Sequence, residues 1–242
     1  GEEKWLQECG FDATYAWELH HIFNAMAKGG SETKNVAGDG TIKTDAKSVA
    51  DLQEYIARNA VHYPAPALRL MFTSNHDENS WNGSEQSRFG RSLEVMTALT
   101  FLMPSTMPLI YPGQEVGYDH SFEFFRRDAI PDGEYKECRT TELYRRLCAL
   151  KHKEAALLAG ERGGEMIEIE NNAKDCMLSF VREVRGSRVV AILNLSPYTI
   201  HAASHTGIYA GAYRNAMTGE RVVLNEHVER DIMPWGYQIL VK

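Results

Sequence analysis

An apolar run, Leu68 to Phe72, is followed after Thr73-Ser74 by Asn75-His76-Asp77-Glu78. An amide, an imidazole and two carboxylates at the tip of a core segment suit a polar ligand with several hydroxyls. An aspartate accepts two hydroxyl hydrogen bonds and a histidine adds another. Asp77 and His76 are therefore the candidate ligand-gripping pair, with Asn75 beside them. The competing structural reading has Asp77 capping the following loop and His76 packing at a rim. A second polar tip, Pro112-Gly113-Gln114-Glu115, ends a shorter apolar segment, Pro108 to Tyr111.

The pattern around these tips predicts the elements that carry them. Phe11 to Tyr15 reads as a short strand. Leu19, Ile22, Phe23 and Met26 then fall at helical spacing, with Gly29-Gly30 as the stop. Residues Ser31 to Lys43 are polar and read as a surface loop. A second helix carries Val49, Leu52, Ile56 and Ala60 in one stripe, with Thr44 or Asp45 as its N-cap. Strand Leu68 to Phe72, helix Ser87 to Leu102, strand Pro108 to Tyr111 and a helix marked by Leu143, Leu147 and Leu150 follow. Strand and helix thus alternate three times, the rhythm of parallel strands with crossover helices. Polar groups at the C-terminal ends of such strands share one cleft.

After Gly160 the period changes to two. Ile167 and Ile169 alternate with Glu168 and Glu170, and Cys176, Leu178 and Phe180 with Met177, Ser179 and Val181. Further strands are expected at Arg188 to Leu195, Arg221 to Leu224 and Tyr237 to Val241, with Gly186 and Gly219 as hairpin punctuation. The predicted fold is α/β. Residues 1–159 hold three βα units, less than half of an eight-stranded barrel, and residues 160–242 an antiparallel β-sandwich.

The chain has 242 residues, 43% hydrophobic and 24% charged, with a net charge of −7. That balance argues against a nucleic-acid or anionic-membrane surface, which needs a basic patch. No apolar run approaches the roughly 20 residues of a membrane-spanning helix. Cys9, Cys138, Cys148 and Cys176 show no close pairing, so no zinc site is expected, and they lean toward a reducing compartment. The chain opens on Gly1-Glu2-Glu3 without a signal peptide and is expected to be a piece of a longer protein.

Asn75-His76-Asp77 after an apolar strand, then a buried helix, then "MPLIYPGQE" (Met107 to Glu115) resembles the α-amylase superfamily of glycoside hydrolases. "FDATYAWELHH" (Phe11 to His21) is similar to the family's sixth strand and helix, and "FEFFRRDAI" (Phe122 to Ile130) to the loop after its eighth strand. "NAMTGERVVL" (Asn215 to Leu224) and "PWGYQILVK" (Pro234 to Lys242) resemble its closing β-domain. The resemblance implies that residues 1–159 are the C-terminal portion of a TIM (β/α)8 barrel, strands six to eight, and that the parent performs retaining hydrolysis of α-1,4-glucans such as starch and maltodextrins. Retention needs a carboxylate nucleophile and a carboxylic acid about 5 Å apart. By resemblance Asp77 is the family's third carboxylate, a transition-state stabiliser, with His76 and Asn75 binding the same sugar and Trp81 stacking on it. The nucleophile and general acid fall on upstream strands, with Glu2 or Glu3 a minor alternative for the acid.

The partners implied are an α-glucan and the missing N-terminal part of the same protein. Calcium, which the family often holds, would be bound by upstream segments. An α-glucan transferase of the branching or trehalose-forming type and a non-catalytic carbohydrate-binding or scaffold relative are the alternatives. Other residues carry weaker signals. His20 and His21 read as packing or solvent-facing, and Tyr118, Phe122, Phe124 and Phe125 as core or rim. Glu115 reads as a support for the mouth, Arg126-Arg127-Asp128 as a surface cluster, and Glu18 and Asn24 as a solvated helix face. Asp12, Asp119 and Asp128 are the fallback nucleophiles.

Overall fold

The computed structural model describes residues 2–28, 34–36, 42–44, 47–64 and 67–242. Helix α1 (Glu2–Glu8) leads into strand β1 (Ala13–Tyr15), and helix α2 (Trp17–Ala27) buries Leu19, Ile22, Phe23 and Met26, the stripe its spacing predicts. The expected stop at Gly29-Gly30 lies outside the described residues. Strands β2 (Lys34–Val36) and β3 (Ile42–Thr44) pair antiparallel where a loop was expected. Such short polar strands leave no apolar alternation to read. Helix α3 (Val49–His62) is capped by Ser48 rather than Thr44 or Asp45. The Asp51 carboxylate accepts from Ser48 N at 2.8 Å, closing the first turn. Its buried stripe is Val49, Leu52 and Tyr55; Ala60 is exposed.

Strand β4 (Leu68–Met71) is followed by helices α4 (His76–Asn82) and α5 (Glu85–Phe89), a 3-10 turn at Gly90–Ser92 and helix α6 (Leu93–Leu102). One continuous helix was expected over Ser87 to Leu102. It breaks at Gly90, whose φ of 49° ends α5. Strand β5 is Thr106–Pro108 rather than 108–111. Leu109 N still donates to Met71 O at 2.9 Å, but Pro112 has no amide hydrogen to extend the ladder. Helix α7 (Arg139–Lys153) buries Leu143, Leu147 and Leu150 as expected.

Strands β1, β4 and β5 form a parallel sheet in that order, with Tyr15, Leu70 and Met107 in register. Thr14, Arg69, Met71 and Thr106, on one face, are buried. On the other face Ala13, Tyr15, Leu68 and Leu70 are half-exposed, and Met107 is 41% exposed. Parallel sheets are normally covered on both sides. Among the described residues this one has a half-exposed apolar face and two unpaired edges.

The remaining strands are β6 (Met166–Glu168), β7 (Glu170–Asn171), β8 (Met177–Val184), β9 (Ser187–Asn194), β10 (Ile200–His205), β11 (Gly211–Asn215), β12 (Arg221–Leu224), β13 (His227–Ile232) and β14 (Tyr237–Val241). They form two antiparallel sheets, β12-β11-β14-β9-β8-β6 and β13-β10-β7. The β8–β9 hairpin turns on Arg185 and Gly186, at φ 52° and 83°, the left-handed pair of a type I′ turn. Alternation along these two strands serves two cores. Leu178, Phe180, Val189, Ala191 and Leu193 join the core shared with α2, α6 and α7. Met177, Val181, Val190 and Ile192 pack with Ile169, Ala202 and Tyr213 in a second core. Strands β10, β11 and β13 were not anticipated. Strand β13, His-Val-Glu-Arg-Asp-Ile, turns no fully buried residue inward, so its apolar signal is thin.

Candidate functional site

Strand β4 delivers its tip through residues buried to the last: Phe72, Thr73, Ser74 and Asn75 are each at most 2% exposed. Asn75 is the N-cap of α4, and its Oδ1 accepts from Glu78 N at 2.8 Å. The cap is thus Asn75 and not Asp77. This turn raises His76 and Asp77 to the surface, with side chains 55% and 41% exposed and His76 Nε2 3.5 Å from Asp77 Oδ1. Asn75 Nδ2 is buried without a protein partner among the described residues, a donor left free beside the exposed pair.

Glu78 points the other way, into a polar network with no local signature in the sequence. Its Oε2 lies 2.9 Å from His20 Nε2 and 3.6 Å from Arg88 Nη1. His20 is 1% exposed, and its Nδ1 is 3.2 Å from Phe72 O. Arg88 donates to Thr73 O at 2.9 Å, Ser74 Oγ at 3.0 Å and Asn24 Oδ1 at 3.2 Å. Asn24 therefore supports the tip rather than a solvated face, whereas Glu18 pairs with Arg58 at the surface. His20 packs, as expected, and holds the loop from below.

The His20 hydrogen bond holds the Glu78 carboxyl below its ordinary 4.5 against the opposing effect of burial, with Arg88 adding to the lowering. A carboxylate depressed in the folded state contributes stability that is complete above its unfolded value. That stability is lost as pH falls through the folded one. Unfolding by urea from pH 7 to pH 3 is expected to show this loss below about pH 4.5. Glu78→Gln should flatten that acid limb; an unchanged limb would assign it elsewhere.

The second tip is tied to the first. Gln114 Nε2 donates to Thr73 Oγ1 at 2.8 Å and to the Glu85 carboxylate, and Thr73 Oγ1 lies 3.1 Å from Glu85 Oε2. Glu85 is 4% exposed, and burial pushes its carboxyl up despite the bonds from Gln114 and Thr73. Nothing in the sequence marked this glutamate, which begins a short polar helix. Glu115 accepts from Gly113 N at 2.9 Å and closes the turn.

An aromatic shelf stands beside Asp77. Trp81 and Phe124 lie 5.3 Å apart between ring centroids, Phe124 and Phe125 4.9 Å, and His76 and Phe124 6.1 Å. Trp81 is 62%, Phe124 41% and Phe125 84% exposed. Core or rim packing was expected of both phenylalanines; instead they present open faces, because polar anchors hold their loop. Asn79 Nδ2 donates to His120 O at 2.9 Å, and Asn79 Oδ1 accepts from Phe122 N at 2.7 Å. Ser84 bonds Asp119, and His120 lies 2.8 Å from Asp128. Tyr118 and Phe122 are half-buried and pack against each other and His120. Arg126 pairs with Glu123 at 3.3 Å on the surface.

The other carboxylates are placed elsewhere. Asp12 precedes β1, at the opposite end of the sheet from the tips, with its carbonyl accepting from Leu68 N. Asp119 and Asp128 are engaged in their loop. Glu3 bonds Arg69 at 3.1 Å and Tyr63 Oη at 2.9 Å, a structural pair at the base of β4; the side chain of Glu2 lies outside the described residues. Calcium takes six to eight oxygen ligands, and among the described residues no group of three or more His, Cys, Asp or Glu is arranged to hold a metal ion. Among them, no helix is long and apolar enough to cross a membrane.

Residues 168–235 match the family described as alpha amylase, C-terminal all-beta domain. Residues 168–235 are thus similar to an alpha-amylase C-terminal domain. Ahead of that domain the likeness continues in three dimensions. A noncanonic maltogenic alpha-amylase, AmyB, from Thermotoga neapolitana superposes at a TM-score of 0.76 and 20% identity, covering 100% of this chain and 53% of that one. An alpha-amylase from Lactobacillus plantarum gives 0.70 and 19%, covering 100% and 50%. A debranching enzyme from Nostoc punctiforme gives 0.69 and 17%, covering 98% and 49%. At these identities the likeness is one of fold. The chain spans about half the length of these proteins. No curated protein sequence matches the chain.

Proposed function

We propose that this chain is the C-terminal part of an α-amylase-type retaining glycosidase acting on α-1,4-glucans such as starch and maltodextrins. Residues 1–159 would be the last three βα units of its (β/α)8 barrel and residues 160–242 its C-terminal β-domain. The observation that carries the proposal is the exposed His76–Asp77 pair at a parallel-strand tip beside the open faces of Trp81 and Phe124. Asp77 would accept two sugar hydroxyls and offset positive charge as the ring becomes oxocarbenium-like. His76 would bond the same sugar, Trp81 would stack on it, and the buried Asn75 would hold the turn that presents them. The nucleophile and general acid would come from an N-terminal part of the protein.

That N-terminal part has a place to go. The half-exposed apolar face of Tyr15, Leu70 and Met107 and the open edges of β1 and β5 are what further barrel strands would cover. Expressed alone, the chain is expected to self-associate and to release no reducing sugar from starch, since one stabilising carboxylate cannot form a glycosyl intermediate. Light scattering after size exclusion and a reducing-sugar assay test both halves. A monodisperse monomer of this chain that hydrolyses starch overturns the reading and returns attention to Asp12, Asp119 and Asp128.

A further inference from the structure

The sheet β13-β10-β7 carries a row of ligating side chains unrelated to the strand tips. Glu170 on β7 is paired with His205 on β10, and His205 with His227 on β13. Directly opposed residues of antiparallel strands share a face, and all three are exposed. The two imidazoles meet: Nδ1 of His205 is 3.1 Å from Nδ1 of His227, with ring centroids 4.5 Å apart. They line an open surface cavity of about 490 Å³ together with Glu170 and Glu229.

We propose that His205 and His227 form a two-histidine site for a divalent transition-metal ion of the nitrogen-preferring kind, such as zinc, nickel or copper. Zinc binds imidazole nitrogen at about 2.0–2.1 Å, so two nitrogens 3.1 Å apart subtend an angle of about 100° at the ion. That angle lies between the right angle of square-planar or octahedral sites and the tetrahedral angle. The pair occupies directly opposed positions of two strands. Its register is fixed by the ladder that pairs Ile200 to His205 with Ile232 to His227.

When the two neutral rings share an Nδ1 proton, that proton moves to Nε2 of its own ring as the ion takes both Nδ1 lone pairs. Water fills the remaining positions, and the carboxylates of Glu170 and Glu229 on the same surface favour a cation. Imidazole ligands select against calcium and magnesium, which want oxygen. The proposal is independent of any catalytic role for Asp77.

His201 supplies an internal control. It sits on the same face, but its Nε2 is 2.8 Å from Glu229 and its Nδ1 2.8 Å from Asp231. Both ring nitrogens are thus already engaged. Calorimetric titration of the chain with zinc chloride, and separately with nickel chloride, is expected to show one site of micromolar affinity. His205→Ala and His227→Ala should each weaken it at least tenfold, and His201→Ala should leave it within twofold. Zinc should raise the melting temperature of the wild-type chain and not that of the His205→Ala/His227→Ala variant. These side chains are exposed, and circular dichroism checks that the variants fold. Binding that survives in the double variant, no binding at all, or equal loss in His201→Ala overturns the assignment.

Discussion

In the full-length protein, Asp77→Asn is expected to lower turnover on starch by about 10²–10³-fold or more while the fold is kept. A neutral amide accepts one hydroxyl bond where the carboxylate accepts two, and it offers no charge to the developing cation. The loss should fall on kcat, because the interaction strengthens as the ring distorts. The fold should survive because the Asp77 side chain is 41% exposed and its neighbour in the described structure is the equally open His76 at 3.5 Å. His76→Ala should be milder, since it removes one bond and no charge. Steady-state kinetics with a melting curve for each variant decide the matter. Near-normal turnover of a folded Asp77→Asn variant would remove Asp77 from the mechanism.

Arg182→Ala is expected to cost about 3–5 kcal/mol of stability. Arg182 is 1% exposed, yet its recorded hydrogen-bond partners are backbone carbonyls rather than a carboxylate. It donates to Gly164 O at 2.9 Å, Leu102 O and Met103 O at 3.0 Å and Leu158 O at 3.3 Å. Two of these lie at the C-terminus of α6, where unsatisfied carbonyls and the negative end of the helix dipole welcome a cation. Burial lowers the guanidinium to about 10, so it stays charged at neutral pH. Truncation would strand buried acceptors from three segments and open a cavity between β8 and the helices.

The same charge reaches Lys151, whose amine burial, and then Arg182, push down to about 7. Removing Arg182 should therefore move the Lys151 titration upward. Urea unfolding gives the stability, and a pH titration followed by NMR gives Lys151. A loss under about 1 kcal/mol would show that water replaces the guanidinium at little cost.

The sequence by itself determined the elements whose signal is local and repeated. The apolar stripe of α2, the alternation of β8, the apolar run of β9 and the polar tip after β4 follow from periodicity and from where an apolar run ends. The tertiary structure decided every contact between residues far apart in the chain. Glu78 reads as a second exposed carboxylate until His20 arrives beneath it. Asn24 reads as a helix surface until Arg88 crosses to it. Phe124 and Phe125 read as core or rim, because an aromatic run has no local feature that announces its loop's pinning by Asn79. His205 and His227 meet only through the register of two strands whose own apolar pattern is faint. Local propensity is written in neighbouring residues. Closing a long loop to bring two polar groups together depends on the packing of everything between them, and that packing is settled only in the folded chain.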